Sequence, residues 1–476
     1  VLGMPEDSDW VLRGPYPDKA LIREALVLDL GRELGIATPR YAFVEFYLNP
    51  DGGAVTDADY MGVYMLLETI KNSKNRLDLK QLDEDDVTLP KIQGGYIWKF
   101  DWLAAEEPIV ECPGDPQTCW NFLEVVDPDP LVPEQEQWLA GHLWEFNTVL
   151  NSVNFADPET GYRAYIDVRS FVDQIILNEL SREMDSYVRS AYFYKDREGK
   201  ITAGPLWDYD LTFGVGGFFS NDQIAGWQYQ QTRLPMTNNW IQRLMQDPAF
   251  VDDLRQRWRE LRAGPLSDAQ LTARVQAMRS RLAAAAERNF QRWPILSDPM
   301  VSFFFTPTNP TWQGQVDFML DWLLRRAAWL DSTAGWGPVD PPSSPPPSSP
   351  PPSSPPPSSP PPSSPPPSSP PPSSPPPGPG CTATYTVINE WPGGFQAEVR
   401  VTAGNAPISG WTVSWTFTDG QSVTQYWSAV VTGGPSVTAR NETWNGALAA
   451  GASTTFGFLG SWNGRNSVPT VTCVAT

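Results

Sequence analysis

The sequence predicts a multidomain protein with an α+β, two-lobed first domain, a disordered polyproline linker and an all-β sandwich. A Pro-Pro-Pro-Ser-Ser repeat between Pro341 and Gly380 cannot bury a core and favours the polyproline II conformation. Upstream of this repeat, strand patterns come first and helical patterns follow, which is typical of an α+β fold. Downstream, short alternating strands separated by Gly-, Asn- and Pro-rich turns indicate a sandwich. We therefore predict domains at 1–336 and 381–476, joined by a linker at 337–380.

Hydrophobic periodicity places the elements of the first domain. A helical pattern runs from Asp18, the expected cap, to Leu34, with Leu21, Ala25 and Leu28 on one face. The predicted strands are Phe43 to Leu48, Met61 to Glu68 and Gly94 to Asp101. The predicted helices that follow are Glu134 to Leu150, Val168 to Met184, Trp240 to Met245, Ala249 to Arg262, Ser267 to Arg288 and Gln315 to Ala328.

Charge is strongly lopsided, with 34 basic residues against 55 acidic residues and a formal net charge of −21. Nearly all of the excess lies upstream of residue 381, because residues 381–476 hold only three basic and four acidic side chains. This balance argues against nucleic acid or an anionic membrane as a partner, since both need a basic patch. No apolar run reaches the ~18 residues of a transmembrane helix, so we expect no membrane span.

The cysteine and histidine content restricts the chemistry further. The four cysteines fall into two local pairs without Cys-x-x-Cys spacing, so we predict the disulfides Cys112–Cys119 and Cys381–Cys473. Such pairing fits an oxidising compartment, and we expect a secreted, extracellular protein. The single histidine, His142, lies in an apolar helical pattern and is predicted to pack there.

One stretch, 178–214, carries the candidate catalytic residues. A helix end bearing Asp185 is followed by a hairpin at 191–204 and then by Asp208 and Asp210. We expect the hairpin to fold Asp208 back towards Asp185, so that three carboxylates from two loops surround one divalent cation, for which oxygen ligands are suitable. The alternative is an acidic loop solvated at the surface.

Residues 207–213 favour the first interpretation, because apolar side chains alternate there with Asp208, Asp210 and Thr212, as on an ordered strand. Ser190 lies five residues after Asp185, the spacing at which protein kinases place a metal-binding Asn after the catalytic Asp.

This stretch resembles the CotH family of atypical protein kinases, the spore-coat type. The runs that carry the resemblance are Asn178-Glu179-Leu180, Tyr194-Lys195-Asp196 and Gly204-Pro205-Leu206-Trp207-Asp208-Tyr209-Asp210. The resemblance extends over about Val1 to Trp336. Family members have further strands ahead of the position of Leu2, so we expect this domain to be truncated at its N-terminus.

The resemblance implies transfer of the γ-phosphate of ATP to Ser or Thr hydroxyls of a protein substrate, with Mg or Mn as cofactor. Asp185 is then the catalytic residue that orients or deprotonates the acceptor hydroxyl. Asp208, Asp210 and Ser190 are the expected metal ligands, and Ser190 stands where many family members have Asn. The expected nucleotide contacts are Glu68, Lys71 and Lys99, and further candidates for phosphate are Lys19 and Arg23. For each of these five, a solvated surface side chain is the alternative.

The C-terminal domain resembles the family-two carbohydrate-binding modules, which are immunoglobulin-like sandwiches. The matching runs are 389–395, 425–428 and 440–446, with Gly410-Trp411 and Phe456-Gly457-Phe458. In the resemblance, Trp411 is the buried tryptophan of the fold. Trp391, Trp427 and Trp444 match the three surface tryptophans of the cellulose-binding subtype, whose flat faces stack on glucose rings. The expected partner is cellulose or a related β-glucan surface.

Two alternatives to the kinase remain open for the first domain. A polysaccharide-binding domain usually accompanies a glycoside hydrolase, and Asp185 with Asp208 or Asp210 offers the acid and base that such chemistry needs. A non-catalytic scaffold for adhesion to the cell wall or to cellulose is the other alternative. The sequence leaves the oligomeric state open.

Overall fold

The structure is a computed structural model of the 476-residue chain. It describes residues 1–101, 107–114, 119–121, 123–231, 238–302, 304–337, 380–391, 394–427, 429–441, 445–462 and 465–475. The chain forms two separate compact units, Val1–Ser349 and Pro350–Thr476. The predicted linker lies outside the described residues, apart from its two end positions. The predicted fold class is confirmed, because the first unit combines helices with sheets and the second is all-β.

The strands of the first unit form small antiparallel sheets. They are β1 (Trp10–Arg13), β2 (Tyr41–Tyr47), β3 (Tyr60–Glu68), β4 (Tyr96–Phe100), β5 (Leu123–Asp127), β6 (Ala191–Lys195), β7 (Thr202–Ala203), β8 (Met300–Val301) and β9 (Phe304–Phe305). One sheet has the order β1-β3-β2, another has the order β5-β4-β6-β7, and β8 pairs with β9. The strand β1, which the sequence patterns did not predict, pairs along β3 from Trp10 opposite Glu68 to Arg13 opposite Met65.

The helices of the first unit follow the predicted periodicity, with shifts at some ends. They are α1 (Arg23–Leu34), α2 (Pro133–Asn151), α3 (Val168–Ser181), α4 (Trp240–Leu244), α5 (Pro248–Arg262), α6 (Asp268–Arg292) and α7 (Trp312–Leu330). None of the helices in the described part of the chain is long and apolar enough to cross a membrane. His142 packs within α2 as predicted, with its ring stacked 5.1 Å from that of Trp138.

Two helix ends differ from the prediction for local reasons. The predicted helix from Asp18 begins only at Arg23, because Leu21 adopts a positive φ of 65° and the Asp18 carboxylate caps the preceding turn. The helix predicted to reach Met184 ends at Ser181, because Arg182 takes the left-handed conformation at φ 47°. The buried Arg182 guanidinium donates to backbone carbonyls of a distant loop, which fixes this ending.

Helix α3 lies at the centre of the first unit. Every residue from Phe171 to Ser181 is buried, and α3 packs against α1, α5, α7 and β7. A helix that is buried on all sides is fixed by its neighbours rather than by its own propensity. Its C-terminal end is therefore a rigid support for the residues that follow it.

The second unit is a sandwich of two four-stranded antiparallel sheets. Its strands are β10 (Cys381–Trp391), β11 (Gly394–Ala403), β12 (Trp411–Thr416), β13 (Ser422–Trp427), β14 (Val430–Gly433), β15 (Ser436–Arg440), β16 (Ser453–Ser461) and β17 (Thr472–Ala475). The sheet orders are β10-β11-β16-β13 and β14-β15-β12-β17. Trp411 is fully buried between the sheets, as predicted, and its indole donates to the carbonyl of Asn445 at 2.9 Å.

The described cysteines are all in disulfides. Cys381 is joined to Cys473, which confirms the predicted bridge and ties an edge strand of one sheet, β10, to an edge strand of the other, β17. In the first unit, Cys112 is joined to Cys119, with their Cα atoms 6.0 Å apart.

Candidate functional site

Asp185 lies in a tight turn just beyond the end of α3. Its carbonyl accepts hydrogen bonds from the backbone N–H groups of Val188 and Arg189, each at 2.9 Å. Its own N–H donates to the Glu183 carboxylate at 2.9 Å, and Glu183 is buried. The sequence Glu-Met-Asp-Ser therefore folds as a closed turn that holds the Asp185 side chain at a half-buried position.

The hairpin of β6 and β7 forms as predicted, with Phe193 opposite Ala203. It returns the chain so that the Ser190 hydroxyl donates to Oδ2 of Asp208 at 3.1 Å. The predicted strand over 207–213 is wrong, since no strand is assigned there and Asp208 has a φ of 70°. A left-handed residue breaks an extended ladder, and contacts to Asp208 from other elements hold it in this conformation.

Two tyrosines fasten both loops to the last turn of α3. Tyr209, between the two aspartates of the second loop, donates its hydroxyl to Oδ1 of Asn178 at 2.6 Å. Tyr187, two residues after Asp185, donates to Oε1 of Glu179 at 3.2 Å. The spacing between the loops is therefore set by neighbouring residues of one buried helix.

Arg13 and Glu24 are site residues that the sequence patterns did not indicate. Arg13, at the end of β1, forms ion pairs with Glu24 at 2.6 Å and with Asp208. Oε1 of Glu24 also lies 3.3 Å from the backbone nitrogen of Asp208, which donates to it. A signal in the sequence was the Arg23-Glu24 pair, which interrupts the apolar run from Ala20 to Leu28, since buried charges need partners.

The electrostatics of the site show an excess of negative charge. Burial, and then repulsion from Asp208, raise the pKa of Asp185 to about 6. Burial, and then the same repulsion, raise the pKa of Asp210 to about 8, although Arg13 opposes this shift. Asp208 thus lies close enough to Asp185 and to Asp210 to contribute to the raised pKa of both, while Arg189 opposes the shift at Asp185.

Lys99 lies on β4 at the border of this site. Its ammonium pairs with Glu107 at 3.0 Å, Glu124 at 3.4 Å and Asp101 at 3.6 Å. Repulsion from Asp101 contributes to the raised pKa of Asp185, so Lys99 is linked to the carboxylates through Asp101.

Glu68 and Lys71, the other expected nucleotide contacts, belong to an ion-pair network. The buried Glu68 carboxylate binds Arg40 at 2.7 Å and Arg76 at 2.6 Å. Lys71 binds Asp7 at 2.6 Å and Asp9 at 2.5 Å. The nucleotide contacts expected of Glu68 and Lys71 stay predictions, and in this structure both side chains are engaged in ion pairs.

Lys19 and Arg23 are not phosphate contacts, since both are buried and engaged in the protein interior. Lys19 donates to the carbonyl oxygens of Leu296 at 3.3 Å and Pro307 at 3.4 Å. Arg23 pairs with Asp18 and donates from Nε to the carbonyl of Thr212 at 2.9 Å. Both cations serve to join separate segments of the fold.

The predicted cage of three carboxylates around a metal is not formed. The described residues include no group of three or more His, Cys, Asp or Glu side chains arranged to hold a metal ion. In this arrangement Arg13 donates to Oδ1 of Asp208 and Ser190 donates to Oδ2. Magnesium, however, is usually held by one or two carboxylates together with phosphate oxygens and water. Asp208 and Ser190 offer hard oxygen donors beside a surplus of negative charge, and this donor set fits a metal–nucleotide complex.

The proposed sugar-binding face of the second unit lies mostly outside the described residues. Trp391 and Trp427 end the strands β10 and β13, but their side chains are not among those described. Trp444 lies wholly outside the described residues.

The fold and the paired carboxylate loops define a two-unit protein in which an α+β domain with a candidate phosphoryl-transfer site accompanies a β-sandwich. The family of CotH kinase proteins matches residues 1–330, and the cellulose binding domain family matches residues 381–476. The chain therefore belongs to the CotH kinase protein family and carries a cellulose binding domain on its C-terminal side.

Relatives with curated descriptions match the second unit. Endoglucanase A of Thermobispora bispora is 54% identical over 101 residues, which are 21% of this chain and 22% of the relative. Endoglucanase CelA of Streptomyces lividans is 47% identical over 93 residues, which are 19% of this chain and 20% of the relative. The chain thus spans about a fifth of the length of these two relatives.

Solved structures also match this unit. The chitin-binding domain of Chi18aC from Streptomyces coelicolor is 42% identical, covering 19% of this chain and 90% of that one, with a TM-score of 0.18. The cellulose-binding family 2 domain from ScLPMO10C is 36% identical, covering 21% of this chain and 99% of that one, with a TM-score of 0.19.

Proposed function

We propose that this protein is a secreted, cellulose-attached kinase that transfers the γ-phosphate of ATP to Ser or Thr hydroxyls of a protein substrate. The observation that supports the proposal is the convergence of the Asp185 turn and the Asp208 loop at the end of α3. Phosphoryl transfer requires positioning and charge neutralisation more than covalent chemistry, and oxygen ligands without histidine are sufficient for it.

Each residue has a distinct role in this proposal. Asp208 and Ser190, with Asp210 beside them, hold a Mg or Mn ion that neutralises phosphate charge. Asp185 orients the acceptor hydroxyl and accepts its proton, and a base whose pKa lies at about 6 is well suited to this near neutral pH. Lys99 is also engaged by carboxylates, and we assign it as the nucleotide contact because one of them, Asp101, links it to Asp185.

The roles are tested by comparing two single substitutions in the full chain. Asp208→Asn should lose metal-dependent nucleotide binding, whereas Asp185→Asn should bind nucleotide and lose transfer of labelled phosphate. Asp321→Asn, on the exposed face of α7, is the matched control and should change neither. Absence of transfer in the wild type with any protein acceptor would contradict the proposal. Release of reducing sugar from cellulose that disappears in Asp185→Asn would favour a glycoside hydrolase instead, and cellulose adsorption without either activity would favour a scaffold.

Cellulose adsorption is assigned to Trp391, Trp427 and Trp444. Stacking of an aromatic ring on a nucleic-acid base contributes ~1–3 kcal/mol, and we expect stacking on a sugar ring to be of similar order. Each Trp→Ala substitution should therefore weaken adsorption of the full chain to microcrystalline cellulose several-fold. Val474→Ala, at an exposed position of β17, should leave it unchanged. Adsorption like that of wild type in all three tryptophan variants would refute the assignment.

A further inference from the structure

Arg13 holds Asp208 in a way that bears on how the site accepts a cation. Its Nη1 pairs with Oε1 of Glu24 at 2.6 Å, and its Nη2 pairs with Oδ1 of Asp208. Asp208 is the residue at which we place the metal. One guanidinium therefore pairs with a carboxylate oxygen that would also be a ligand of the metal ion.

The two ion pairs of Arg13 differ in their access to solvent. The Glu24 side chain is only 3% exposed, whereas that of Asp208 is 29% exposed and that of Arg13 is 21% exposed. A buried charge cannot lose its partner without a large penalty, whereas a partly exposed pair exchanges at a lower cost. The bond to Glu24 is therefore the permanent one, and the bond to Asp208 is the one that can be exchanged.

The surroundings also retain Arg13 after such an exchange. The guanidinium lies 5.4 Å from the centre of the Trp207 ring, close enough for a cation–π contact. Glu24 remains paired with Nη1, and its Oε1 continues to accept from the Asp208 backbone at 3.3 Å. Arg13 can release the Asp208 carboxylate without leaving its place, and the loop keeps its backbone anchor.

We propose that Arg13 is an internal counter-ion that competes with a divalent cation for Asp208, so that cation binding requires Arg13 to release this carboxylate. The proposal rests on the assignment of the cation to Asp208 in the proposed function. In the absence of the cation, Arg13 keeps the loop in its positive-φ conformation and limits the repulsion among the aspartates. With the cation bound, the guanidinium stays on Glu24 and Trp207.

The test is a titration of the full chain with Mn²⁺ alone, followed by electron paramagnetic resonance of the free ion. Arg13→Gln removes both the competitor and its repulsion of the cation, and it should tighten Mn²⁺ binding by up to about fivefold, as expected for one partly exposed ion pair. Arg288→Gln breaks an exposed pair with Glu45 elsewhere in the first unit and is the matched control, which should not change. Asp208→Asn should abolish the binding.

Arg13→Lys is a second variant that keeps the test decisive if Arg13→Gln misfolds. Circular dichroism checks the folding of both variants. Lysine keeps the charge but loses the fork that spans two carboxylates, so its affinity for Mn²⁺ should lie between those of wild type and Arg13→Gln. Unchanged or weaker binding in Arg13→Gln would overturn the proposal, as would binding that survives Asp208→Asn.

The outcomes separate this inference from the proposed activity. Phosphate transfer by the wild type, with no gain of Mn²⁺ affinity in Arg13→Gln, would support the kinase activity and contradict the competition between Arg13 and the cation. Tighter Mn²⁺ binding in Arg13→Gln, with no phosphate transfer by wild type or any variant, would support the competition between Arg13 and the cation and contradict the kinase activity.

Discussion

Acidic side chains lie in two places at the end of α3, and the two places differ in how far nearby donors and cations balance the negative charge. Glu179 is fully buried and fully matched: it pairs with Arg326 at 3.2 Å and accepts from the N–H groups of Gln228 at 2.7 Å and Tyr229 at 2.8 Å. The group of Asp185, Asp208 and Asp210 is less buried, yet its main nearby cation, Arg13, is shared with Glu24.

The difference separates a charge with a structural role from the charges to which we assign the proposed function. Around Glu179, the donors satisfy the carboxylate and fasten α3 to α7 and to the loop at 228–229. Around Asp208, burial, and then repulsion from the Asp208 carboxylate, raise the pKa of Asp185 to about 6 and that of Asp210 to about 8. Unmatched charge costs stability, and proteins retain it where a ligand is to supply the missing charge.

The largest expected effect comes from removing the ion-pair partner of the buried Glu179 carboxylate. Arg326→Met removes its ion-pair partner and leaves a fully buried carboxylate, so the free energy of unfolding of the first unit should fall by ~3–5 kcal/mol. Urea denaturation followed by tryptophan fluorescence measures it. Arg288→Met, which breaks an exposed pair with Glu45, should cost at most ~1 kcal/mol. Equal losses of unfolding free energy in Arg326→Met and Arg288→Met would show that the Glu179 carboxylate does not depend on its buried partner.

The next prediction is a gain of stability rather than a loss, and it tests the group of Asp185, Asp208 and Asp210. The pKa of Asp210 is about 8 in the folded protein against an ordinary value of 3.8, so folding binds its proton more tightly. Its stabilising contribution is complete below pH ~4 and is lost as the pH rises towards ~8. The free energy of unfolding of Asp210→Asn should therefore match that of wild type at pH 4 and exceed it by a growing margin as the pH rises to 8. Denaturation curves at pH 4, 6 and 8 that stay parallel would contradict this.

The smallest effect concerns Ser190, whose φ of 50° is a conformation that asparagine tolerates better than most residues. Ser190→Asn supplies an amide oxygen, a better cation ligand than a hydroxyl, and should tighten Mn²⁺ binding roughly two- to threefold, a fraction of a hydrogen bond. Ser190→Ala, which deletes the 3.1 Å bond to Asp208, should weaken it by a similar factor. Titrations in which asparagine behaves like alanine would rule out a ligand role for residue 190.

The fold was largely predictable because its signals are local. Helical periodicity placed α2, α5 and α7 to within a few residues, and the turn residues 196–200 placed the hairpin. The strand predicted at 207–213 failed because alternation alone does not reveal the left-handed conformation of Asp208, which depends on contacts with Arg13 and Glu24.

The site was only partly predictable, since its missing residues act across long separations. Arg13 contacts Asp208 across 195 positions in the chain, and nothing in the short strand β1 marks its last residue as a partner. The sequence offers Lys19 and Arg23 as candidates for phosphate, with a solvated surface side chain as the alternative, whereas the fold buries both among carbonyl oxygens and Asp18.

The bridge between Cys381 and Cys473 also determines how the second unit carries a pulling force. Cys381 is the first residue of β10, so tension from the upstream chain enters the sandwich at this position. There it divides between the β10–β11 ladder and the covalent link to β17, which pairs with β12 in the opposite sheet. Both sheets share the load, and β10 cannot be peeled from its edge while the bridge is intact. A module attached to a solid surface under flow would then yield first at its sugar contacts, with its fold preserved for reattachment.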